Sequence, residues 1–254
     1  MKTVDKAMTV LAQFTTERTE VGLTELARLA DLDKAATRRL LVALIKHGYV
    51  EQSTVTRGYR LGPGFLALAR VREATVPLKR AAQETTDWLT RTVDETAHIS
   101  VPLPDHMATL AYTLPSRGNI INIVPSQPLP FHATASGIAY LAACDAARLE
   151  AALRTRRARI TPHTPTSKAA TRAAVDAATS HGYAHCQSTF ELGVSSFAMA
   201  FFTGDTAPAG TVSVALPEQR LDGPRRKLLL AALRDAVERI ECALTGQRPS
   251  VSRA

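Results

Sequence analysis

Three cysteines in 254 residues, with no Cys-x-x-Cys spacing, are too few and too irregular for a disulfide framework or a structural zinc site. Cys144, Cys186 and Cys242 therefore read as buried free thiols. Long apolar runs are missing as well. The longest strictly apolar stretches, 197–202 and 228–233, fall far short of the roughly 20 residues that a membrane span needs. The chain also has no GxSxG elbow, HExxH pair, phosphate-binding P-loop or GxGxxG turn, so the commonest hydrolase, metalloprotease and dinucleotide readings lose their support. Charges at Lys2, Asp5 and Lys6 stand where a signal peptide would need an unbroken apolar segment, and the expected location is the cytoplasm.

What remains is an ordinary globular composition, 45% hydrophobic and 21% charged, in a chain whose length fits two domains. The net charge is +8 and is unevenly spread. Residues 1–75 hold 12 Lys/Arg against 8 Asp/Glu, and residues 76–254 hold 19 against 15, so each part carries +4. The shorter first part is thus more than twice as basic per residue. That distribution suits a polyanion-binding module joined to a less basic domain.

Apolar residues Val4, Ala7, Met8, Leu11 and Phe14 recur at helical spacing and predict a first helix. Thr24 is the expected N-cap of a short second helix carrying Leu26, Leu29 and Ala30. A turn at Asp31-Leu32 follows, then Asp33 as the cap of a third helix from Lys34 to about His47, stopped by Gly48. Two helices across a tight turn form the helix-turn-helix pattern. At 100° per residue, Thr37, Leu40, Leu41, Leu44 and Ile45 face inward. Lys34, Ala35, Ala36, Arg38, Arg39 and Lys46 are left for the major groove and its phosphates, although an exposed basic face would look the same. Residues 49–62, alternating at both ends and polar in the middle, read as a hairpin wing, with Arg57 near its tip and Tyr59 beside it as further DNA contacts.

The second half reads as a helix followed by strands at 97–101, 108–112 and 119–124. The segment Pro128 to Ala139 then leads a Pro-bounded loop into a helix opened by small residues. Its first backbone amides are available to an anion, unless the small residues serve only to pack helix on sheet. Helices at about 145–154 and 167–181, strands at 196–202 and 211–217, and a last helix from about Gly223 to Leu244 complete the pattern. The basic run Arg154 to Arg159 reads as a solvated helix end.

The run Thr24-Glu25-Leu26-Ala27, with Leu32, Arg39-Leu40-Leu41, Leu44, Gly48-Tyr49-Val50 and Tyr59-Arg60-Leu61-Gly62, resembles the winged helix-turn-helix of the IclR family of bacterial transcription regulators. His132-Ala133-Thr134-Ala135-Ser136-Gly137, Gly182-Tyr183-Ala184, Leu192-Gly193-Val194 and Val212-Ser213-Val214 extend the resemblance over nearly the whole chain. It departs from the family pattern in three places. Asp31-Leu32 stands for the usual Gly-Leu turn, Ala35-Ala36 for a Ser-Thr pair, and Cys186-Gln187-Ser188-Thr189 for a stretch that is often acidic.

The resemblance implies a two-domain α+β chain. A winged helix-turn-helix would occupy residues 1–62, a linker helix 63–75, a GAF-like α/β effector domain with a central antiparallel sheet 76–246, and a disordered tail 247–254. It further implies a regulator, most often a repressor, with an activator as the alternative. Such a regulator would bind a roughly palindromic double-stranded operator as a dimer or pair of dimers, without a cofactor, metal or membrane, and would associate with the nucleoid through its DNA. Its small-molecule effector, expected to be a carboxylic acid, would meet Leu129, Ala135, Ser136, Cys186 and Ser196, and the small-residue helix start read above adds Thr134 to this set.

Three other readings compete. His132, Ser136, Cys186 and Ser196 could form a nucleophile-and-base set. His132, His163, His181, His185 and Cys186 could hold a metal, although Gly182 breaks the helical spacing of His181 and His185. The second domain could also be an empty scaffold, in which case no small molecule would stabilise it.

Overall fold

The computed structural model describes residues 2–75, 78–116, 118–204 and 206–246. The chain divides into two compact units, Met1–Val76 and Pro77–Ala254.

In the first unit, α1 (Lys2–Leu11), α2 (Leu23–Leu29) and α3 (Lys34–Lys46) surround a core of Val10, Val21, Leu26, Ala30, Leu41, Val50 and Tyr59. Leu26 and Leu41 are fully buried, and each contributes on the order of 2 kcal/mol. The Asp33 carboxylate accepts the Ala36 amide at 2.7 Å and caps α3 as expected. Thr24 is not a cap. Gly22 holds that position, in extended conformation and without a side-chain bond, so Thr24 lies inside α2. α1 stops at Leu11, and a turn in which the Gln13 amide reaches the Val10 carbonyl ends the helix short of Phe14. Ile45 is 38% exposed and leaves the inward set.

β1 (Val50–Gln52) and β2 (Tyr59–Leu61) pair antiparallel, Val50 opposite Leu61. Val21 adds an isolated bridge to Tyr59. Gly48 turns the chain at φ +73. A Cβ on Gly62 would lie 2.3 Å from the Gly48 carbonyl oxygen, so only glycine allows the wing to close against this turn. α4 (Gly64–Thr75) follows, with the Phe65 ring 5.0 Å from Tyr49. Its Leu66, Leu68 and Val71 are all more than half exposed.

The second unit is built on a six-stranded antiparallel sheet. β3 (Thr96–Pro102), β4 (His106–Thr113), β5 (Leu129–Pro130), β6 (Ala184–Gln187), β7 (Val194–Phe201) and β8 (Gly210–Pro217) lie in the order β5-β4-β3-β8-β7-β6. Alternation gives the sheet two faces. Ile99, Phe197, Met199, Phe201, Val212, Val214 and Leu216 pack with α5 (Leu78–Val93) and α9 (Gly223–Thr245). The other face carries His98, Ser100, Ser196, Thr211 and Ser213, with α6 (Ala135–Ala143) and α8 (Lys168–His181) on its side and α7 (Ala146–Arg154) against them.

The expected strand at 119–124 does not form. β4 is completed instead by Leu129–Pro130, and 119–124 runs as irregular chain whose Ile121 carbonyl accepts the Thr96 hydroxyl at 2.6 Å. The four-residue strand β6 was not anticipated, and the expected disordered tail lies outside the described residues. Among the described residues no helix is long and apolar enough to cross a membrane.

Candidate functional site

The first candidate surface is the outer face of α3. Lys34, Ala35, Arg38, Arg39 and Lys46 are exposed and Ala36 is half-buried, while Thr37 and Leu41 point into the core. Val42, 60% exposed, adds an apolar patch between the cations. None of Lys34, Arg38, Arg39 and Lys46 forms an ion pair among the described residues, so their charges are available to an external anion. The Ala36 amide, and more weakly Arg39, hold the Asp33 carboxyl below its ordinary value. The cap is therefore ionised at neutral pH and anchors the first turn of α3. Arg57 sits at the hairpin tip with φ +61, exposed, while Gln52 ties the turn by donating to the Arg57 carbonyl at 2.9 Å.

Tyr59 requires a correction. It is 7% exposed, bonded to Val21 through both backbone groups and packed in the core, so its ring stabilises the wing rather than facing DNA. Alternation along a short hairpin could not decide which side Val21 would cover.

The second candidate site is a cavity with an empty volume of about 680 Å³, open mouth included, over the polar face of the sheet. Leu129, Thr134, Ala135, Ser136, Cys186 and Ser196 all line it, although they come from β5, the start of α6, β6 and β7. Thr134 accepts the Gly137 amide at 3.1 Å and donates to the Pro130 carbonyl, which fixes the first turn of α6. Among the described residues the Ala135 and Ser136 amides have no protein acceptor, and the N-terminus of α6 is left open to an anion. Gly137 is needed here because a Cβ would stand 2.4 Å from the Phe131 Cα.

Two loops complete the walls. One is 119–124, and the other spans Thr189 to Glu191. The second is tied down by the Thr161 hydroxyl, which donates to the Ser188 carbonyl, and by Thr164 and Thr189, which donate to the Thr189 and Ala133 carbonyls. The Ser188 hydroxyl donates to Glu218 at 2.5 Å and accepts the Gly193 amide.

Sequence reasoning missed His98, Thr109, Asn122, Gln127 and Glu191, all of which line the cavity. The available signal was the polar residue at every second position of 96–100, which marks a sheet face without saying what covers it.

The nucleophile-and-base set is not assembled. His132 does not line the cavity, and its Nε2 is taken up by the Ala158 carbonyl at 3.0 Å. Burial pushes the Cys186 thiol up to about 11, so the reactive thiolate is scarce at neutral pH. The metal set is dispersed as well. His181 stacks on Tyr183, His185 meets the Ser195 hydroxyl at 2.9 Å, and no group of three His, Cys, Asp or Glu side chains among the described residues could hold an ion.

Comparison with known proteins agrees with this geometry. The family model described as "IclR helix-turn-helix domain" matches residues 3–54, and "Bacterial transcriptional regulator IclR C-terminal" matches residues 73–242. The chain is 35% identical to an ICLR transcriptional regulator from Silicibacter sp. TM1040 of known crystal structure, covering 97% of this chain and 98% of that one with a TM-score of 0.91. The HTH-type transcriptional regulator XynR of Escherichia coli K12 is 25% identical over 96% of both chains. An IclR homolog from Microbacterium hydrocarbonoxydans, crystallised with 4-hydroxybenzoate, shares the fold at a TM-score of 0.78 and 22% identity, covering 96% of this chain and 100% of that one.

Proposed function

The chain belongs to the IclR family of bacterial transcriptional regulators, and from that premise we propose that it is a repressor whose grip on its operator is altered by a small carboxylic acid. The observation that carries the effector half of this reading is the convergence of Leu129, Thr134, Ala135, Ser136, Cys186 and Ser196 on one cavity beside the uncovered amides of α6. A carboxylate fits such a helix start, where the backbone amides and the helix dipole both favour negative charge. The apolar side chains of Leu129, Ile121 and Val194 suit a hydrocarbon body. The 4-hydroxybenzoate held by a relative of this fold is a ligand of that kind.

Residues 1–62 read the operator. Lys34, Ala35, Ala36 and Arg39 lie against base edges, and Arg38, Lys46 and Arg57 hold phosphates. Residues 63–75 link this module to the effector domain of residues 76–246. The exposed Leu66, Leu68 and Val71 of α4 support pairing with a second copy, which matches the two-fold symmetry of a roughly palindromic operator. The effector acts by binding one arrangement of the dimer, or of a pair of dimers, more tightly than another and so changes the spacing of the DNA-binding heads. A repressor of this type works in the cytoplasm, on the nucleoid.

Fluorescence anisotropy of the full chain on its own upstream intergenic DNA, against scrambled DNA and across salt, tests the operator half. Selective binding that weakens steeply with salt is expected. Equal affinity for scrambled DNA contradicts the reading.

A further inference from the structure

α3 carries an apolar side chain in the middle of its cationic face. Val42 is 60% exposed and Ile45 38%, and the core of this unit is made of other residues. At 3.6 residues per turn, Ala35, Lys46 and Arg39 lie about 20°, 40° and 60° from Val42 around the helix, while Arg38 and Ile45 lie about 40° and 60° on the other side. All of them are exposed. Val42 therefore stands at the centre of the surface that the operator reading places in the major groove.

Nothing in the fold asks for a valine there. β-branched residues are poorer helix formers than alanine, lysine or arginine, and an exposed one returns little burial to the fold. A lone exposed valine is ordinary on a protein surface. One ringed by the exposed Lys34, Arg38, Arg39 and Lys46 lies where a polyanion is drawn down onto it.

Resting on the operator reading above, we propose that Val42 is a specificity residue that reads thymine, its methyl groups packing against the C5-methyl of a thymine in each half-site. The major-groove edges of guanine, adenine and cytosine present hydrogen-bonding atoms, and the thymine methyl is the one apolar group that the four bases display there. Valine has neither donor nor acceptor. Against a polar base edge it displaces water and gives nothing back, whereas against thymine it buries methyl on methyl. The surrounding cations supply affinity through phosphates and base acceptors, and Val42 adds a preference that those groups cannot express.

The test removes that methyl and nothing else. The upstream intergenic DNA is made once with thymidine and once with deoxyuridine throughout, and each duplex is titrated by fluorescence anisotropy with the full chain and with Val42→Ser. The unaltered chain is expected to bind the thymidine duplex about fourfold or more tightly than the deoxyuridine duplex, the ratio that burying a single methyl group sustains. In Val42→Ser that ratio should fall below about twofold. The exchange of bases also alters the stiffness of the duplex, but it does so for both chains, so the comparison of the two ratios isolates the contact. Serine matches valine closely in helix propensity. Should Val42→Ser fail to fold, Val42→Ala, which favours the helix and removes two methyl groups, serves in its place.

A ratio near one in the unaltered chain, or the same ratio in the unaltered chain and the variant, overturns the inference. Scrambled thymidine DNA in the same titration separates the two readings. Selective binding of the intergenic duplex with no difference between thymidine and deoxyuridine leaves the operator reading standing and removes the role of Val42. Equal affinity for scrambled DNA removes both.

Discussion

Glu95 is 1% exposed, and its Oε1 accepts a hydrogen bond from Arg225 at 2.8 Å. Its Oε2 lies 3.3 Å from Arg220, which also donates to the Asn119 carbonyl. One buried carboxylate thus joins the start of β3, the start of α9 and the loop that becomes the 119–124 wall of the cavity. Removing it leaves two arginines facing a buried gap. Because Arg220 and Arg225 keep partial solvent access, Glu95→Ala should cost about 3 kcal/mol rather than the upper figure for a fully buried pair. Urea denaturation measures this, and hydrogen exchange should speed up at 119–124. Stability within a few tenths of the original would show that the cluster does not hold the wall.

His98 gives a pH signature. Its folded pKa is held at about 4 by burial, against 6.5 for the free side chain. Between those values the unfolded chain binds a proton that the folded chain refuses, so stability is intact above 6.5 and falls as pH is lowered towards 4. The loss amounts to as much as about 3 kcal/mol. His98→Asn has no such titration. Denaturation curves of both chains through this window should therefore converge as the pH drops, and a constant difference would mean that His98 is charged in the fold.

Arg39 is exposed on α3, in no ion pair among the described residues, and beside the half-buried Ala36. Arg39→Ala should leave the unfolding temperature unchanged and weaken operator binding about tenfold or more. Anisotropy titration decides, and unaltered affinity would remove α3 from the DNA.

Local chemistry made much of this fold legible. The Asp33 cap, the Gly48 turn and, apart from Ile45, the polar-apolar stripe of α3 need only neighbours within a few residues, and each appears where the sequence places it. What failed depended on distant partners. The 119–124 segment is rich in isoleucine and reads as a strand, but the edge of β4 is taken by Leu129–Pro130, and Ile121 and Ile123 line a cavity instead. Tyr59 alternates as a surface residue would until Val21, far back in the chain, bridges to it. Five of the six effector residues came from resemblance, and Thr134 from the small-residue start of its helix. That the His98 Nδ1 has no partner among the described residues depends on where Ser136 and Ser213 come to lie, and no spacing in the sequence shows that.

The central claim is that occupancy of the α6 cavity changes the grip of α3 on DNA. Its most direct test is an operator titration of the unaltered chain and of Ser136→Trp, each with and without the carboxylic acid that binds best. The indole would fill the cavity floor where Ser136 now meets His98 and Ser213. The account predicts that the acid shifts operator affinity in the unaltered chain by roughly 5- to 150-fold, and that Ser136→Trp binds the operator but ignores the acid. An undiminished acid response in Ser136→Trp would place the effector elsewhere and contradict the account.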